Sequence, residues 1–279
     1  MPELPEVETI KNALVKGIGC ARILDASVYQ SKLRLPVPED FKDRIINTQI
    51  ISYRRIAKYI VIGLDNDMSI VWHMGMSGRI KISEAMPDSL EKHDHVVIKT
   101  DNGVMIYNDA RRFGLITCFP TDKISDCPLF AKTGPDPFSQ ELTAKYLHEK
   151  FRRKKIPVKV ALLDQSIIAG IGNIYASEAL FDAGISPLRE TDRISLKECG
   201  RLIESVRHTL EKAIEAGGST LKDYHKPDGS EGYFQHKHCV YNKTGQPCPN
   251  CTCQTAVTGG IQKTVLAGRS SFYCATKQK

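Results

Sequence analysis

The chain has 279 residues, 41% of them hydrophobic and 25% charged, an ordinary globular composition. No apolar run approaches the roughly 20 residues that a membrane helix needs, and the acidic, proline-broken opening Met1-Pro2-Glu3-Leu4-Pro5-Glu6 does not read as a secretory or transit peptide. Lys and Arg outnumber Asp and Glu by 39 to 32, a net charge of +7 that leans toward a polyanionic partner without proving one. A cytoplasmic, nucleoid-associated location is therefore expected. Along the chain, Leu4, Val7, Ile10 and Leu14 fall three or four apart after Pro5, which predicts a helix over residues 4–16 with one apolar face. Short β-type runs follow at residues 60–64, 69–72, 95–99, 104–108 and 113–119. Turn signals such as Asp65-Asn66-Asp67 and Asp101-Asn102-Gly103 separate them. Closely spaced strands of this kind predict an antiparallel sandwich or barrel. Lys132-Thr133-Gly134-Pro135-Asp136-Pro137 reads as a linker, and beyond it the periodicity turns helical. Leu142, Tyr146 and Leu147 mark one helix, and Val158, Leu162 and Leu163 another. A longer helix starts at Ser195, with Glu198 completing a capping box and Gly217 ending it. A polar stretch over residues 224–232 then leads into a Cys-rich tail.

Several groups of residues have chemical potential. If the initiator Met is removed, Pro2 becomes a secondary amine that titrates near 8, well below lysine, and is correspondingly nucleophilic at neutral pH. Glu3 stands beside it as a general acid or base. In isolation, Met-Pro-Glu is better read as merely opening a helix. Ile167 to Ala176 contains Gly170 and Gly172 just before a helical segment, where backbone amides can hold a phosphate, although its spacing fits a plain Gly-rich helix–helix turn as well. It fails as a dinucleotide fingerprint, because Tyr175 holds the third glycine position. Lys150 to Lys155 is a dense basic cluster upstream of that turn, suited to a DNA backbone. His73-Met74-Gly75-Met76-Ser77-Gly78 and Asp109-Ala110-Arg111-Arg112-Phe113-Gly114 read as loops at strand ends. From such loops a Met, an Arg and a Phe could wedge into a base stack, although Met and Phe are individually more common in cores. Five of the nine cysteines, Cys239, Cys248, Cys251, Cys253 and Cys274, crowd into the tail, which favours a metal site over disulfides.

In order and coverage these segments resemble one family, the bacterial formamidopyrimidine-DNA glycosylases. The matching blocks begin with Pro2 to Thr9, Arg54-Arg55 with Ala57-Lys58-Tyr59, and Met74 to Gly78. They continue with Lys92 to His95, Arg111 to Gly114, Gly172 to Glu178, Gly217 to Asp223 and Gly268 to Cys274. The resemblance implies an α+β fold: an N-terminal catalytic β-sandwich with flanking helices over residues 1–131, a helix-two-turn-helix DNA-binding domain with a lesion loop over 132–234, and a C-terminal β-hairpin finger over 235–279. It implies a bifunctional glycosylase and abasic-site lyase acting on 8-oxoguanine and formamidopyrimidines in duplex DNA, opposite cytosine, as a monomer. Pro2 would attack C1′ and form an imine, and Glu3 would move protons. Lys58 would be a further proton donor, and Arg269 would assist the second elimination. Met76, Arg111 and Phe113 would fill the space of the extruded base. His93, Lys154 and Asn173 would contact phosphates, Glu6 would line the base pocket, and the loop over residues 217–233 would close over it.

One departure concerns the metal. The family's finger holds zinc with two Cys-x-x-Cys pairs, whereas here Lys277 occupies the last cysteine position and the spacing from Cys251 to Cys274 is longer than usual. Cys248, Cys251 and Cys274 remain as expected zinc ligands. The fourth is left open between Cys253, Cys239, a water or partner, and a finger that folds without metal. Two alternative functions are a pyrimidine-lesion glycosylase of the endonuclease VIII type and a noncatalytic damaged-DNA-binding protein on the same scaffold. The former group typically opens Pro-Glu-Gly-Pro-Glu and lacks the wedge pattern.

Overall fold

In the computed structural model, which describes residues 1–220, 226–227, 229–249 and 251–279, the chain divides into two units: Met1–Ala131 with Ile214–Gln235, and Lys132–Ala213 with His236–Lys279. In the first unit the apolar spacing after Pro5 folds as α1 (Leu4–Gly17), which buries Leu4, Val7, Ile10 and Leu14 along one face. Then come β1 (Ile23–Val28), α2 (Phe41–Ile45), β2 (Ile50–Ile56), β3 (Tyr59–Leu64), β4 (Met68–His73), β5 (Arg79–Ser83), β6 (Asp94–Thr100), β7 (Gly103–Asn108) and β8 (Leu115–Pro120). They form two four-stranded antiparallel sheets, ordered β1-β6-β7-β5 and β2-β3-β4-β8. Alternate residues of one sheet, Ile60, Ile62, Ile70, Trp72 and Ile116, share a core with Ile80, Val96, Ile98, Met105 and Tyr107 of the other, and α1 adds Val7, Ile10 and Leu14. The expected sandwich with flanking helices is present.

The sequence reading misses β1, β2 and β5, and all three are edge strands. An edge strand buries less of its surface, and β1 and β2 also carry register irregularities near Ile23/Asp25 and Ile50/Ser52, which blur the period of two. The run expected over residues 113–119 starts instead at Leu115. Arg112 takes a positive φ of 56°, and the chain is still turning at Phe113.

The second unit contains α3 (Ala144–Arg152), α4 (Val158–Leu163), α5 (Asn173–Asp182) and most of α6 (Leu196–Glu215). The Thr143 hydroxyl accepts the Tyr146 N–H at 3.1 Å and caps α3. The capping box at α6 forms as read from sequence: the Ser195 N–H donates to Glu198 Oε2 at 2.9 Å, and the Glu198 N–H donates to the Ser195 hydroxyl at 3.3 Å. At its other end Gly217 takes φ 75°. The tail adds the one-turn α7 (Thr255–Thr258) and the hairpin of β9 (Gln262–Leu266) and β10 (Arg269–Tyr273). Its two-residue turn, Ala267-Gly268, has both φ angles positive at 46° and 71°, as a tight hairpin twisting with its strands requires. Phe181, Val240, Ile261 and Phe272 form a small core beneath it. Among the described residues no helix is long and apolar enough to cross a membrane.

Candidate functional site

Glu3 is the N-cap of α1, in extended conformation, and its N–H donates to Glu6 Oε2 at 2.8 Å within a capping box. The other oxygen of Glu6 accepts the Ser219 N–H at 2.8 Å. Gly218 lies so close that an added Cβ would stand 2.9 Å from the Glu6 side chain, at a φ of 79° that glycine alone adopts easily. Glu6, only 2% exposed, thus fastens the 217–219 turn to the start of the helix. Residues 221–225 and 228 of the expected closing loop lie outside the described residues. Pro2 and Glu3 are buried, and Met1 is half exposed above them. While Met1 is attached, the Pro2 nitrogen belongs to an amide and its electron pair is delocalised. Removal of Met1 converts it to an amine.

Lys58 sits in the tight β2–β3 turn, beside Ala57 at a positive φ of 52°. Arg55 braces this turn: its Nε bonds Glu8 of α1 at 2.8 Å and its guanidinium donates to the Ala57 carbonyl at 3.1 Å. His73 ends β4 with its ring 4.6 Å from that of Tyr59. Its Nδ1 accepts the Gly75 N–H at 3.0 Å. Burial, with the neighbouring charges of Arg34 and Lys58, holds its pKa down to about 4. The imidazole is therefore neutral at physiological pH, with its proton on Nε2.

A cavity of about 750 Å³ is lined by Met1, Arg34, His73, Met76, Arg111 and Phe113, among others; Pro2, Glu3, Glu6 and Lys58 are not among its lining residues. Met76 and Phe113 are 37% and 46% exposed, which removes the alternative that they are core residues. The Arg111 guanidinium lies 4.7 Å from the centre of the Phe113 ring, a cation–π pair. His93 is not among the cavity-lining residues. It stands just before β6, and its carbonyl accepts the Asp109 N–H at 3.0 Å.

In the second unit, Asn173 opens α5, and its amide donates to the Ser270 carbonyl at 3.0 Å and to the Tyr241 hydroxyl at 3.3 Å. Gln165 shapes the preceding turn by accepting the Gly170 N–H and donating to the Ile171 carbonyl, both at 2.8 Å. Lys154 is half-buried and paired with Asp164 at 3.1 Å. Arg269 is exposed at the start of β10, directly after the hairpin turn. Lys159, fully buried, donates to the Ser270 carbonyl at 2.8 Å and to the Ser271 hydroxyl at 2.9 Å. Glu178 of α5, also buried, accepts the N–H groups of Cys239, Val240 and Tyr241 at 2.7–3.0 Å. Desolvation raises its pKa against those three bonds.

Cys248, Cys251, Cys253 and Cys274 bring their sulfurs within 4.8 Å of one another, with four of the pairs separated by 3.2 to 3.9 Å. Four thiolates around a tetrahedral zinc, with Zn–S near 2.3 Å, would have sulfurs about 3.8 Å apart. The donor set therefore fits zinc, and Cys253 completes it. Lys277 is engaged elsewhere, with its ammonium 3.9 Å from the centre of the Phe181 ring.

Sequence reasoning missed Arg34, Arg55, His73 as a site residue, Lys159 and Glu178. His73 abuts the Met74–Gly78 motif and was within reach. Arg55 and Glu178 lie within blocks that carry the resemblance but had no role assigned, whereas Arg34 and Lys159 have no local signal.

A family model described as the formamidopyrimidine-DNA glycosylase N-terminal domain matches residues 1–116, and the H2TH domain model of the same family matches residues 133–225. Formamidopyrimidine-DNA glycosylases of Rhodospirillum rubrum and Dinoroseobacter shibae are 42% and 43% identical to this chain, each with 100% of both chains covered. Among solved structures, a Lactococcus lactis Fpg mutant in complex with DNA containing Fapy-dG superposes with TM-score 0.90 at 33% identity, with 100% of both chains covered. The MutM (Fpg) protein of Thermus thermophilus superposes with TM-score 0.86 at 31% identity, covering 99% of this chain and 98% of that one.

Proposed function

The chain belongs to the formamidopyrimidine-DNA glycosylase family, and we propose that Pro2 is the nucleophile with which it excises oxidised purines from duplex DNA. One observation carries this reading: the buried Pro2-Glu3 start of α1 meets, through Met1, a cavity rimmed by a thioether, a guanidinium and a phenyl ring that are all accessible. A base must leave the stack before its C1′ can be attacked, and side chains of this kind can occupy the space it vacates.

With Met1 removed, the Pro2 amine attacks C1′ of the flipped nucleoside, and the C1′–N bond breaks as the base departs. The base takes up a proton that Glu3 helps to deliver, the sugar ring opens as its O4′ is protonated, and the sugar remains on Pro2 as an iminium ion. Loss of a C2′ proton expels the 3′ phosphate, and a second elimination expels the 5′ phosphate. The result is a one-nucleotide gap with phosphate on both sides. Lys58 supplies a proton donor and a phosphate contact from the β2–β3 turn, and Arg269 serves the second elimination from the hairpin. Glu6 shapes the pocket from beneath, through its two backbone N–H bonds. His93, Lys154 and Asn173 contact phosphates, and Arg111 faces the orphaned cytosine. Zinc, held by Cys248, Cys251, Cys253 and Cys274, would stabilise the fold of the finger that carries Arg269. The protein acts as a monomer in the cytoplasm, associated with the nucleoid.

Incubation with end-labelled duplexes tests the reading. An 8-oxoguanine:C duplex is expected to yield fragments with phosphate at both gap ends, faster than a thymine glycol duplex. Preference for thymine glycol would move the protein to the pyrimidine-lesion type, and no cleavage of either would favour the noncatalytic alternative.

A further inference from the structure

Asp109 lies at the end of β7, fully buried, between the two turns that carry Met76, Arg111 and Phe113. Its carboxyl oxygens meet donors only. The Ser77 hydroxyl donates to Oδ1 at 2.6 Å, and the Arg111 N–H reaches the same oxygen at 3.3 Å. The Tyr107 hydroxyl donates to Oδ2 at 3.0 Å, and the Gly114 N–H donates to it at 2.9 Å. The Arg111 N–H also reaches the Ser77 hydroxyl at 3.2 Å, which closes a small ring of bonds. The backbone of Asp109 is anchored as well: its carbonyl accepts from His95 Nε2 at 2.8 Å and its N–H donates to the His93 carbonyl at 3.0 Å.

Three of the four residues bonded to the carboxyl carry or adjoin one of the exposed side chains, and the fourth, Tyr107, leads into the core. Ser77 follows Met76, the Arg111 N–H belongs to Arg111 itself, and Gly114 follows Phe113. The two turns also touch backbone to backbone. A Cβ on Gly75 would come within 2.4 Å of the Gly114 nitrogen, and a Cβ on Gly114 would overlap the Tyr107 hydroxyl. Tyr107 in turn stacks edge-on against Trp72, with ring centres 5.5 Å apart, inside the sandwich core. Exposed Met, Arg and Phe side chains on separate turns would ordinarily have independent orientations. Here one buried carboxyl group ties the turns that carry all three to each other and to the core.

We propose that Asp109 is the positioning residue of the wedge, holding Met76, Arg111 and Phe113 in the arrangement that displaces a damaged base and reads its orphaned partner. This rests on the reading of those three as the wedge. The acceptor chemistry is strict. Asn has the same shape as Asp but places an NH2 where one oxygen stood. Either amide orientation then sets that NH2 against a backbone N–H, of Arg111 or of Gly114, and a backbone N–H cannot reverse its role. Misplacement of a reacting group by about 1 Å costs on the order of 100-fold in rate. An abasic site has no base to displace and depends less on the wedge.

Single-turnover rates of Asp109→Asn and wild type would be measured on 8-oxoguanine:C, 8-oxoguanine:A and preformed abasic duplexes. The expected result is a loss of about 100-fold on 8-oxoguanine:C, a loss at least about tenfold smaller on the abasic duplex, and a C-over-A preference that collapses. Equal losses on both duplexes, no loss on 8-oxoguanine:C, or an intact C-over-A preference would overturn the proposal. If Asp109→Asn fails to fold by circular dichroism, Ser77→Ala removes one bond and is expected to produce the same selective pattern, about threefold to tenfold in size. Phe113→Ala separates the two levels. If it leaves 8-oxoguanine excision intact, the wedge reading fails. If it impairs excision while Asp109→Asn does not, only the role of Asp109 fails.

Discussion

His73 is a titratable group whose surroundings fix its state. Burial and the charges of Arg34 and Lys58 hold its folded pKa at about 4, while an unfolded histidine titrates near 6.5. A depressed folded value contributes stability that is present above the unfolded pKa and lost as pH falls through the folded one. Protonation of the unfolded chain thus weakens folding between about pH 6.5 and 4, by on the order of 2 kcal/mol from pH 7.5 to pH 5. His238, in the second unit, is depressed to about 4 by burial first and then by Lys243 and His236, and adds a slope of the same sign. His73→Asn keeps an acceptor near Nδ1 for the Gly75 N–H and removes the titration. Urea unfolding at the two pH values is expected to show about half of the wild-type loss; an unchanged loss would mean that His73 is protonated in the native state. Residues of this kind were the hardest to read in the sequence. Met76 and Phe113 could be named but not distinguished from core until their exposure was known. Arg55 and Lys159 act through Glu8 and Ser270, partners that no spacing along the chain reveals.

At the level of elements, the legible ones had a strong local pattern. The α1 face, the capped α6 and the strands β3, β4, β6 and β7 match their periodicity, whereas the edge strands β1, β2 and β5 were missed. The finger hairpin depends on contacts invisible to periodicity. Lys159 and Asn173 converge on the Ser270 carbonyl, next to Arg269. Lys159→Met keeps the apolar stem and removes the charged donor, a loss of about 1.5–3 kcal/mol. Amide exchange in β9 and β10 is expected to accelerate roughly 10- to 100-fold if opening is local, and unchanged exchange would show that the hairpin is held by other contacts. The cysteine tail follows the same pattern. Its spacing left the fourth ligand open, and the sulfur positions select Cys253. Elemental analysis is expected to give one zinc per chain for wild type and for Lys277→Ala, and substantially less for Cys253→Ser. Zinc lost from Lys277→Ala alone would contradict this ligand set.

For the molecule as a whole, fold and chemistry are connected through the N-terminus. A sandwich supplies a rigid platform, α1 begins on it with Pro2 and Glu3 buried at its start, and the tied turns around Asp109 present Met76, Arg111 and Phe113 to the adjoining cavity. None of this is reactive while Met1 remains, since an amide nitrogen cannot form an imine. The proposed chemistry thus turns on one atom, the Pro2 nitrogen. Its most direct test is reduction with borohydride during turnover of an 8-oxoguanine:C duplex by protein whose free N-terminal proline has been verified by mass. The expected product is a stable protein–DNA adduct whose peptide map places the DNA on Pro2. An adduct on any lysine, or no adduct despite intact DNA binding, would contradict it.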